Sequence, residues 1–333
     1  MNTTPPPYLS LIIPVYNEEK NIIPLFDAVF DTFKKQSFSY EIICIDDGSI
    51  DDSFVFLIDI ANDNNQVKII RFKKNFGQTA AMDAGISYSK GEIIVFLDAD
   101  MQNDPSDIPT LLRKIEEGYD IASGWRTNRR DKLFLRKIPS KLANSLIRRL
   151  SGVKIHDLGC SLKAYKRDMI KDIHLYGEMH RFLPVIAARK GAKIVELPVK
   201  HHARKHGKSH YNLNRTFKVL LDLITVQFIS AYSTKPIYLY GGFALLSLFL
   251  GLLSGLAVIL MKIFYNTDMT GNPFLLLTVL FMLITIILAL MGVQTEVLIR
   301  IYHQQGKTNH YFVNETINIT KEEKWASEKK HQE

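Results

Sequence analysis

Glu92-Ile93-Ile94-Val95-Phe96-Leu97-Asp98-Ala99-Asp100 is the stretch that decides how this chain is read. Its apolar core, Ile93 to Leu97, has no polar alternation, the pattern of a strand buried on both faces of a parallel sheet. Two carboxylates follow at the carboxyl end, where open α/β sheets bind their ligands. Like charges this close need a cation, a proton or strong hydrogen bonds. Hard oxygen donors in small number suit Mg²⁺ or Mn²⁺ bridging a substrate diphosphate. A solvated loop is the competing account of the triplet alone.

Outward from this strand the chain alternates. Leu9–Val15, Glu41–Ile45, Val67–Phe72, Glu92–Leu97 and Asp120–Ser123 are β-like runs, and helical patterns occupy Glu18–Lys35, Asp51–Asn62, Gln78–Ser89 and Pro105–Glu117. Such alternation predicts an α/β domain, a mostly parallel sheet with helices on both faces. The first strand-to-helix turn is Pro14-Val15-Tyr16-Asn17-Glu18-Glu19, not a Gly-x-Gly-x-x-Gly fingerprint. A dinucleotide-dependent hydride transfer loses its main support there. The second strand ends in Asp46-Asp47-Gly48-Ser49-Ile50-Asp51. Gly48 permits a tight turn, and Ser49 or Asp51 can cap the next helix. Those roles leave Asp46 and Asp47 unexplained. A carboxylate here can accept hydrogen bonds from a nucleobase imide or from ribose hydroxyls.

The chain has 333 residues and a formal net charge of +8, which points to anionic partners. Its two cysteines, Cys44 and Cys160, form no metal-type spacing and fit a reducing compartment. The histidines His156, His201, His202, His206 and His210 match no compact zinc motif. The opening Met-Asn-Thr-Thr-Pro-Pro-Pro lacks the charged and apolar regions of a cleaved signal peptide. Residues 1–212 read as the α/β domain. Residues 213–235 read as an amphipathic helix lying on a membrane surface or packed on that domain, and Lys137–Leu150 as a second basic helix. Within 236–300, the apolar stretches 237–264 and 273–299 are each long enough to cross a hydrocarbon core of ~30 Å. Residues 301–333 form a polar, charged tail, disordered near its end. Arg204, Lys205, Lys208, Arg215 and Lys218 before the first span, and Arg300 and Lys307 after the second, place both flanks in the cytoplasm by the positive-inside rule. Basic residues clustered beside apolar helices favour anionic lipid over nucleic acid.

Ile12-Ile13-Pro14-Val15-Tyr16-Asn17-Glu18-Glu19, Asp46-Asp47-Gly48-Ser49 and Asp98-Ala99-Asp100 are specific jointly, in order and spacing. Through them residues 8–210 resemble the family 2 glycosyltransferases of GT-A fold. Asn75-Phe76-Gly77-Gln78, Asp98 to Pro105 and Gly159-Cys160-Ser161-Leu162-Lys163 narrow the likeness to dolichol-phosphate mannose synthases and the bacterial GtrB-type polyisoprenyl-phosphate glycosyltransferases. The two-span hairpin favours the bacterial type.

The resemblance implies an enzyme of the bacterial inner membrane, with its catalytic domain and C-terminus cytoplasmic. It would transfer a hexose, with inversion, from a nucleotide sugar to a polyisoprenyl phosphate such as undecaprenyl phosphate, supplying cell-envelope glycosylation. UDP-glucose is the first choice of donor and GDP-mannose the alternative. The resemblance assigns Pro14, Tyr16, Glu18, Asp46, Asp47 and Asp98 to the nucleotide. Asp100 ligates Mg²⁺ or Mn²⁺, with Gln102 and Asp98 as further ligands. Arg126 lies near the phosphates, and Arg136, Ser140, Arg204, Lys208 and Ser209 hold the lipid phosphate. Asp157 is the candidate catalytic carboxylate near the acceptor, as a base or as an orienting group. The surface helices offer a means of self-association into a homo-oligomer.

Two rivals remain. A processive polysaccharide synthase would carry a Gln-x-x-Arg-Trp motif, and neither Trp125 nor Trp325 sits in one. A catalytically silent nucleotide-binding membrane anchor would not need Asp47, Asp98 and Asp100 intact.

Overall fold

A computed structural model of the chain describes residues 5–127, 155–175, 177, 179–203, 237–266, 268, 271–304, 310–320 and 323. The described residues fall into two units, the first containing 1–227 with 307–333 and the second 228–306.

The first unit is built on one sheet. Its strands are β1 (Leu9–Val15), β2 (Tyr40–Asp46), β3 (Val67–Phe72), β4 (Ile93–Phe96), β5 (Ile121–Trp125), β6 (Lys163–Lys166), β7 (Ile194–Pro198) and β8 (Val313–Ile317). Their order is β7-β5-β6-β4-β1-β2-β3-β8. β1 lies parallel to β2 and β4, and β2 parallel to β3, so the apolar strands read from the sequence form the centre. β6 runs antiparallel to β4 and β5, and β7 parallel to β5. The mostly parallel α/β architecture expected from the sequence is therefore present.

Helices cover both faces. α1 (Glu19–Phe33), α2 (Ser53–Asp63) and α4 (Ile108–Glu116) supply one apolar layer, with Ile22, Leu25, Leu57 and Leu111 packed against Leu11, Ile13 and Val95. α4 buries Ile108, Leu111, Leu112 and Ile115, the stripe of an amphipathic helix. α3 (Gln78–Tyr88) covers the other face, where Ala81, Ala84 and Ile86 meet Ile12, Ile43 and Phe96. α5 (Arg167–Ile170) and α6 (Leu183–Arg189) extend this second layer through Ile170, Leu183 and Ala187.

The tail returns to the sheet. The sequence reading sets residues 301–333 apart, yet β8 pairs antiparallel with β3, Ile69 facing Ile317. Tyr311 is buried and stacks on Phe72 at 4.8 Å. Asn318 donates from Nδ2 to the carbonyls of Ala61 and Val67. Glu323 is buried and pairs with Lys68 at 2.6 Å and Lys90 at 2.8 Å, while Lys68 also pairs with Glu41.

The second unit is a hairpin of α7 (Ile237–Tyr265) and α8 (Pro273–Gln304). Both contain a segment long and apolar enough to cross a membrane. Ala244, Ser247, Gly251, Ser254 and Val258 are buried on α7 at alternating spacings of three and four, the seam of a left-handed helix pair. Ser247 donates to the carbonyl of Phe281 at 2.9 Å and Ser254 to that of Phe274 at 2.7 Å. A Cβ at position 251 would lie 3.2 Å from that of Phe281, so glycine permits the close approach. Residues 213–235 and Lys137–Leu150 lie outside the described residues.

Burial opposes the charge of Glu323, but hydrogen bonds from Lys68, Lys90 and the Thr320 amide outweigh it and hold its pKa to about 2. A depressed carboxylate pKa contributes stability that is present above ~4.5 and lost as pH falls towards 2. Glu323→Gln leaves Lys68 and Lys90 short of a buried partner. It should cost ~3 kcal/mol at pH 7 and flatten the acid loss of stability, as read by unfolding of the detergent-solubilised chain at several pH values.

Candidate active site

The loops after β1, β2 and β4 leave adjacent strands at their carboxyl ends. The first two are tied together. The Asn17 amide, with φ +53°, donates to Ser49 Oγ at 3.0 Å, and Asn17 Oδ1 accepts from the Ile50 amide. The Glu18 amide donates to Ser53 Oγ, and Asp51 accepts from the amides of Glu19 and Ser53. Of the two residues expected to cap the next helix, Asp51 meets the Ser53 amide at the start of α2, whereas Ser49 ties the two loops together. The junction leaves Tyr16 exposed at the rim, Pro14 half-buried on β1 opposite Ile45, and Glu18 accepting from Asn21 Nδ2.

Asp46 and Asp47 differ sharply. Asp46 is fully buried; its Oδ1 accepts from the Ser49 amide at 3.0 Å, and its Oδ2 makes an ion-pair contact with Arg71 Nε at 3.3 Å that lacks hydrogen-bond alignment. Burial raises its pKa despite those partners. In this arrangement Asp46 is engaged inside the protein. Asp47 receives the Phe76 amide on Oδ1 at 2.7 Å and the Gly77 amide on Oδ2 at 2.8 Å. Burial pushes its pKa up to about 6, against those two hydrogen bonds. It therefore fixes the loop that enters α3, where Gly77 has φ +94°.

Beyond β4, Asp98 Oδ1 accepts from Gln78 Nε2 at 2.8 Å. Burial first, and the neighbouring Asp100 second, raise the Asp98 pKa, while the Ser161 hydroxyl lowers it. Asp100 Oδ1 accepts from the Gln102 amide at 3.1 Å. Met101 between them has φ +60°, a conformation rare for a residue with a side chain. Gln102 and Asn103 also meet the segment after β7: the His202 amide donates to the Gln102 carbonyl, and Asn103 bridges His201.

Arg126, at the end of β5, and Asp157 form a bidentate pair, Nε to Oδ2 at 2.7 Å and Nη2 to Oδ1 at 2.9 Å. The amides of Arg126 and Gly159 also donate to Asp157. The Asp98 carboxylate lies within electrostatic reach of Arg126 and Lys163, so these groups and the β4 loop share one site. Lys163 and Glu196 stand beside this pair. Lys163 is buried, donates to the carbonyls of Leu158 and Cys160, and has its pKa lowered by burial. Glu196 accepts from the amides of His156 and Asp157. A motif around Lys163 was legible; nothing local marks Glu196. Arg136, Ser140, Arg204, Lys208 and Ser209 lie outside the described residues.

Among the described residues no cluster of three or more His, Cys, Asp or Glu forms a closed metal site. The donor chemistry still fits Mg²⁺ or Mn²⁺. Asp100 adds to the cost of ionising Asp98, and such cations take one or two carboxylates with substrate phosphates and water. A surface cavity near Tyr8, Lys90 and Arg167 opens at the opposite end of the strands. Its Lys90, Lys166 and Tyr8 are held by Glu323, Asp120 and Glu116.

Residues 10–174 match the family described as Glycosyl transferase family 2. The chain is 40% identical over 317 residues to dodecaprenyl-phosphate galacturonate synthase of Rhizobium johnstonii, covering 93% of each. It is 36% identical to undecaprenyl-phosphate 4-deoxy-4-formamido-L-arabinose transferase of Klebsiella pneumoniae, covering 95% of this chain and 96% of that one. In fold it is similar to glucosyl-3-phosphoglycerate synthase from Mycobacterium tuberculosis, crystallised with Mn²⁺ and UDP-glucose, with a TM-score of 0.53, 16% identity and coverage of 66% of this chain and 79% of that one.

At Gly48, φ is +71° and an added Cβ would lie 2.5 Å from the Lys74 carbonyl carbon. Gly48→Ala should push the 74–77 loop off Asp47, costing ~2 kcal/mol of stability and weakening nucleotide binding, both read on the purified chain by thermal unfolding and calorimetry.

Proposed function

The chain belongs to glycosyltransferase family 2, and from that premise we propose that it transfers a sugar from a nucleotide diphosphate to the phosphate of a polyisoprenyl lipid. The observation that carries the reading is a meeting of opposites. The carboxylates Asp98 and Asp100 lie at one sheet end with Arg126 and Lys163, in a chain that also holds two membrane-length apolar helices. A sugar donor that carries a diphosphate and an acceptor that is a phosphate need such a site, because two anions must be brought together.

The roles proposed for single residues come from the family resemblance, and the adjacency of the loops after β1, β2 and β4 supports them. Pro14 and Tyr16 border the nucleoside, and an Asp47 oxygen receives an N–H of the base beside its backbone amide. Asp98 faces the ribose or diphosphate. Asp98 and Asp100 would hold the divalent cation, with Gln102 adjacent. When bound, that cation neutralises charge on the leaving nucleotide diphosphate. Arg126 faces the phosphates. A phosphate monoester has a second pKa near ~6 and is largely ionised at neutral pH, so its oxygen can attack the anomeric carbon without a strong base. Asp157, gripped by the Arg126 fork, then serves to aim that guanidinium. Arg136, Ser140, Arg204, Lys208 and Ser209 remain proposed holders of the lipid phosphate. Direct displacement inverts the anomeric centre.

UDP-glucose is the donor proposed from the sequence. The relatives, named for galacturonate and for 4-deoxy-4-formamido-L-arabinose, widen the set to be tested. β8 shares a sheet with β1, so two crossings by α7 and α8 return the chain to the side it left. With the basic flanks, this supports an inner-membrane protein whose catalytic unit is cytoplasmic.

The test is transfer of labelled sugar to undecaprenyl phosphate in detergent, with divalent cation, from UDP-glucose, UDP-galacturonate, UDP-4-deoxy-4-formamido-L-arabinose and GDP-mannose in turn. Label in the lipid from one of them is expected. Its absence with all four in a folded protein would favour the silent-anchor reading. Asp157→Asn should lower turnover ~10- to 100-fold while nucleotide affinity changes less than about twofold, because it loosens the aim of Arg126 and leaves the nucleoside loops intact.

A further inference from the structure

The turn that carries Asp157 is held from both ends by groups outside the residues assigned above to the nucleotide, the cation or the lipid. At its front stands Glu196 on β7, its side chain 8% exposed. Its carboxylate receives the His156 amide on both oxygens at 2.8 Å and the Asp157 amide on Oε1 at 3.0 Å. The His156 ring reaches the same carboxylate, Nδ1 to Oε2 at 2.8 Å, and stacks on Trp125 at 4.9 Å. At its back, Lys163 of β6 donates from a buried ammonium to the carbonyls of Leu158 and Cys160. β6 is paired there with β4 and β5, Lys163 facing Phe96 and Ser123. The turn is therefore fastened to three strands of the sheet rather than left to its own hydrogen bonds.

A carboxylate whose own backbone amide is clamped has little freedom to swing. Fixing the Asp157 backbone fixes where its two oxygens stand, and those oxygens set the plane of the Arg126 guanidinium. We propose that Glu196 is a positioning residue for sugar transfer, holding the 156–157 backbone so that Asp157 can aim Arg126, with Lys163 securing the far side of the turn. The proposal rests on the transferase reading given above and names how its cationic group is kept in register. Geometry supplies the reason that a charged residue is needed. Three N–H donors converge on Glu196, the ring nitrogen taking the protonated tautomer. Glutamine offers a single acceptor oxygen and turns an NH₂ group towards a donor.

The experiment compares full-length wild type, Glu196→Gln, Asp157→Asn and the double variant in detergent, with two readouts. In the first, kcat and KM are measured for transfer to undecaprenyl phosphate from the donor the wild type uses. Glu196→Gln is expected to lower kcat ~10- to 100-fold with the donor KM within about twofold, and to change kcat less than about twofold once Asp157 is already Asn. In the second, hydrogen–deuterium exchange across residues 155–160 should quicken in Glu196→Gln while exchange in β1 and β4 stays as in wild type. A kcat within about twofold of wild type, losses that multiply in the double variant, or unchanged exchange at 155–160 would each overturn the proposal. Should Glu196→Gln not fold, Glu196→Asp, which withdraws the carboxylate by one methylene, carries both readouts. A wild type that transfers from no donor would defeat the transferase reading, and the exchange readout would still decide whether the clamp exists.

Discussion

Asp46, Asp47, Asp98 and Asp100 stand at or just beyond the carboxyl ends of β2 and β4, and the burial that opposes the ionisation of Asp46, Asp47 and Asp98 sets the terms for the rest of the site. Each is answered differently. Asp46 is met inside the protein by Ser49 and Arg71, and Asp47 by two backbone amides at the entrance of α3. Asp98 takes Gln78 but still has its ionisation opposed by burial and by Asp100. The site is therefore graded, from carboxylates satisfied by protein to a pair whose charge suits a cation from solution. Set beside Arg126 and Lys163, that gradation suits a doubly anionic donor and an anionic acceptor better than any neutral ligand.

The same sheet also takes in the segment that follows α8. The chain leaves the first unit before α7 and comes back to it after α8, and the returning segment is not a loose end. β8 completes the sheet beside β3, Tyr311 packs on Phe72, and Glu323 closes an ion network with Lys68 and Lys90. Arg71 joins the two themes, touching Asp46 on one side and Glu315 of β8 on the other. An edge strand that would otherwise invite pairing with another chain is in this way supplied from within, for β3 at least.

Much of this was legible in the sequence because the central strands are apolar runs long enough to have one reading. β1 and β3 have the expected limits, and β2, β4 and β5 differ by one or two residues at their ends. Lys163–Lys166, Ile194–Pro198 and Val313–Ile317 escaped because they are short and carry charge, and they sit towards the sheet's flanks or pair antiparallel. The residues proposed for the nucleotide stand out as motifs because they lie together at the end of a strand or in the loop just after it. The Arg126–Asp157 pair and the Glu196 clamp were not, because they join residues more than thirty positions apart through strand order alone. Asp46 shows the converse: a motif residue by position that the fold turns inward.

The measurement closest to the central claim is the affinity for UDP and for GDP by calorimetry, with Mg²⁺ or Mn²⁺ present and again in chelator, for wild type and Asp100→Asn. A site that holds a cation through Asp98 and Asp100 should bind one of the two nucleotides at least ~10-fold more tightly with the cation than without it, and Asp100→Asn should lose that gain. Equal affinity with cation and chelator, or a cation-dependent gain that survives in Asp100→Asn, would contradict the account.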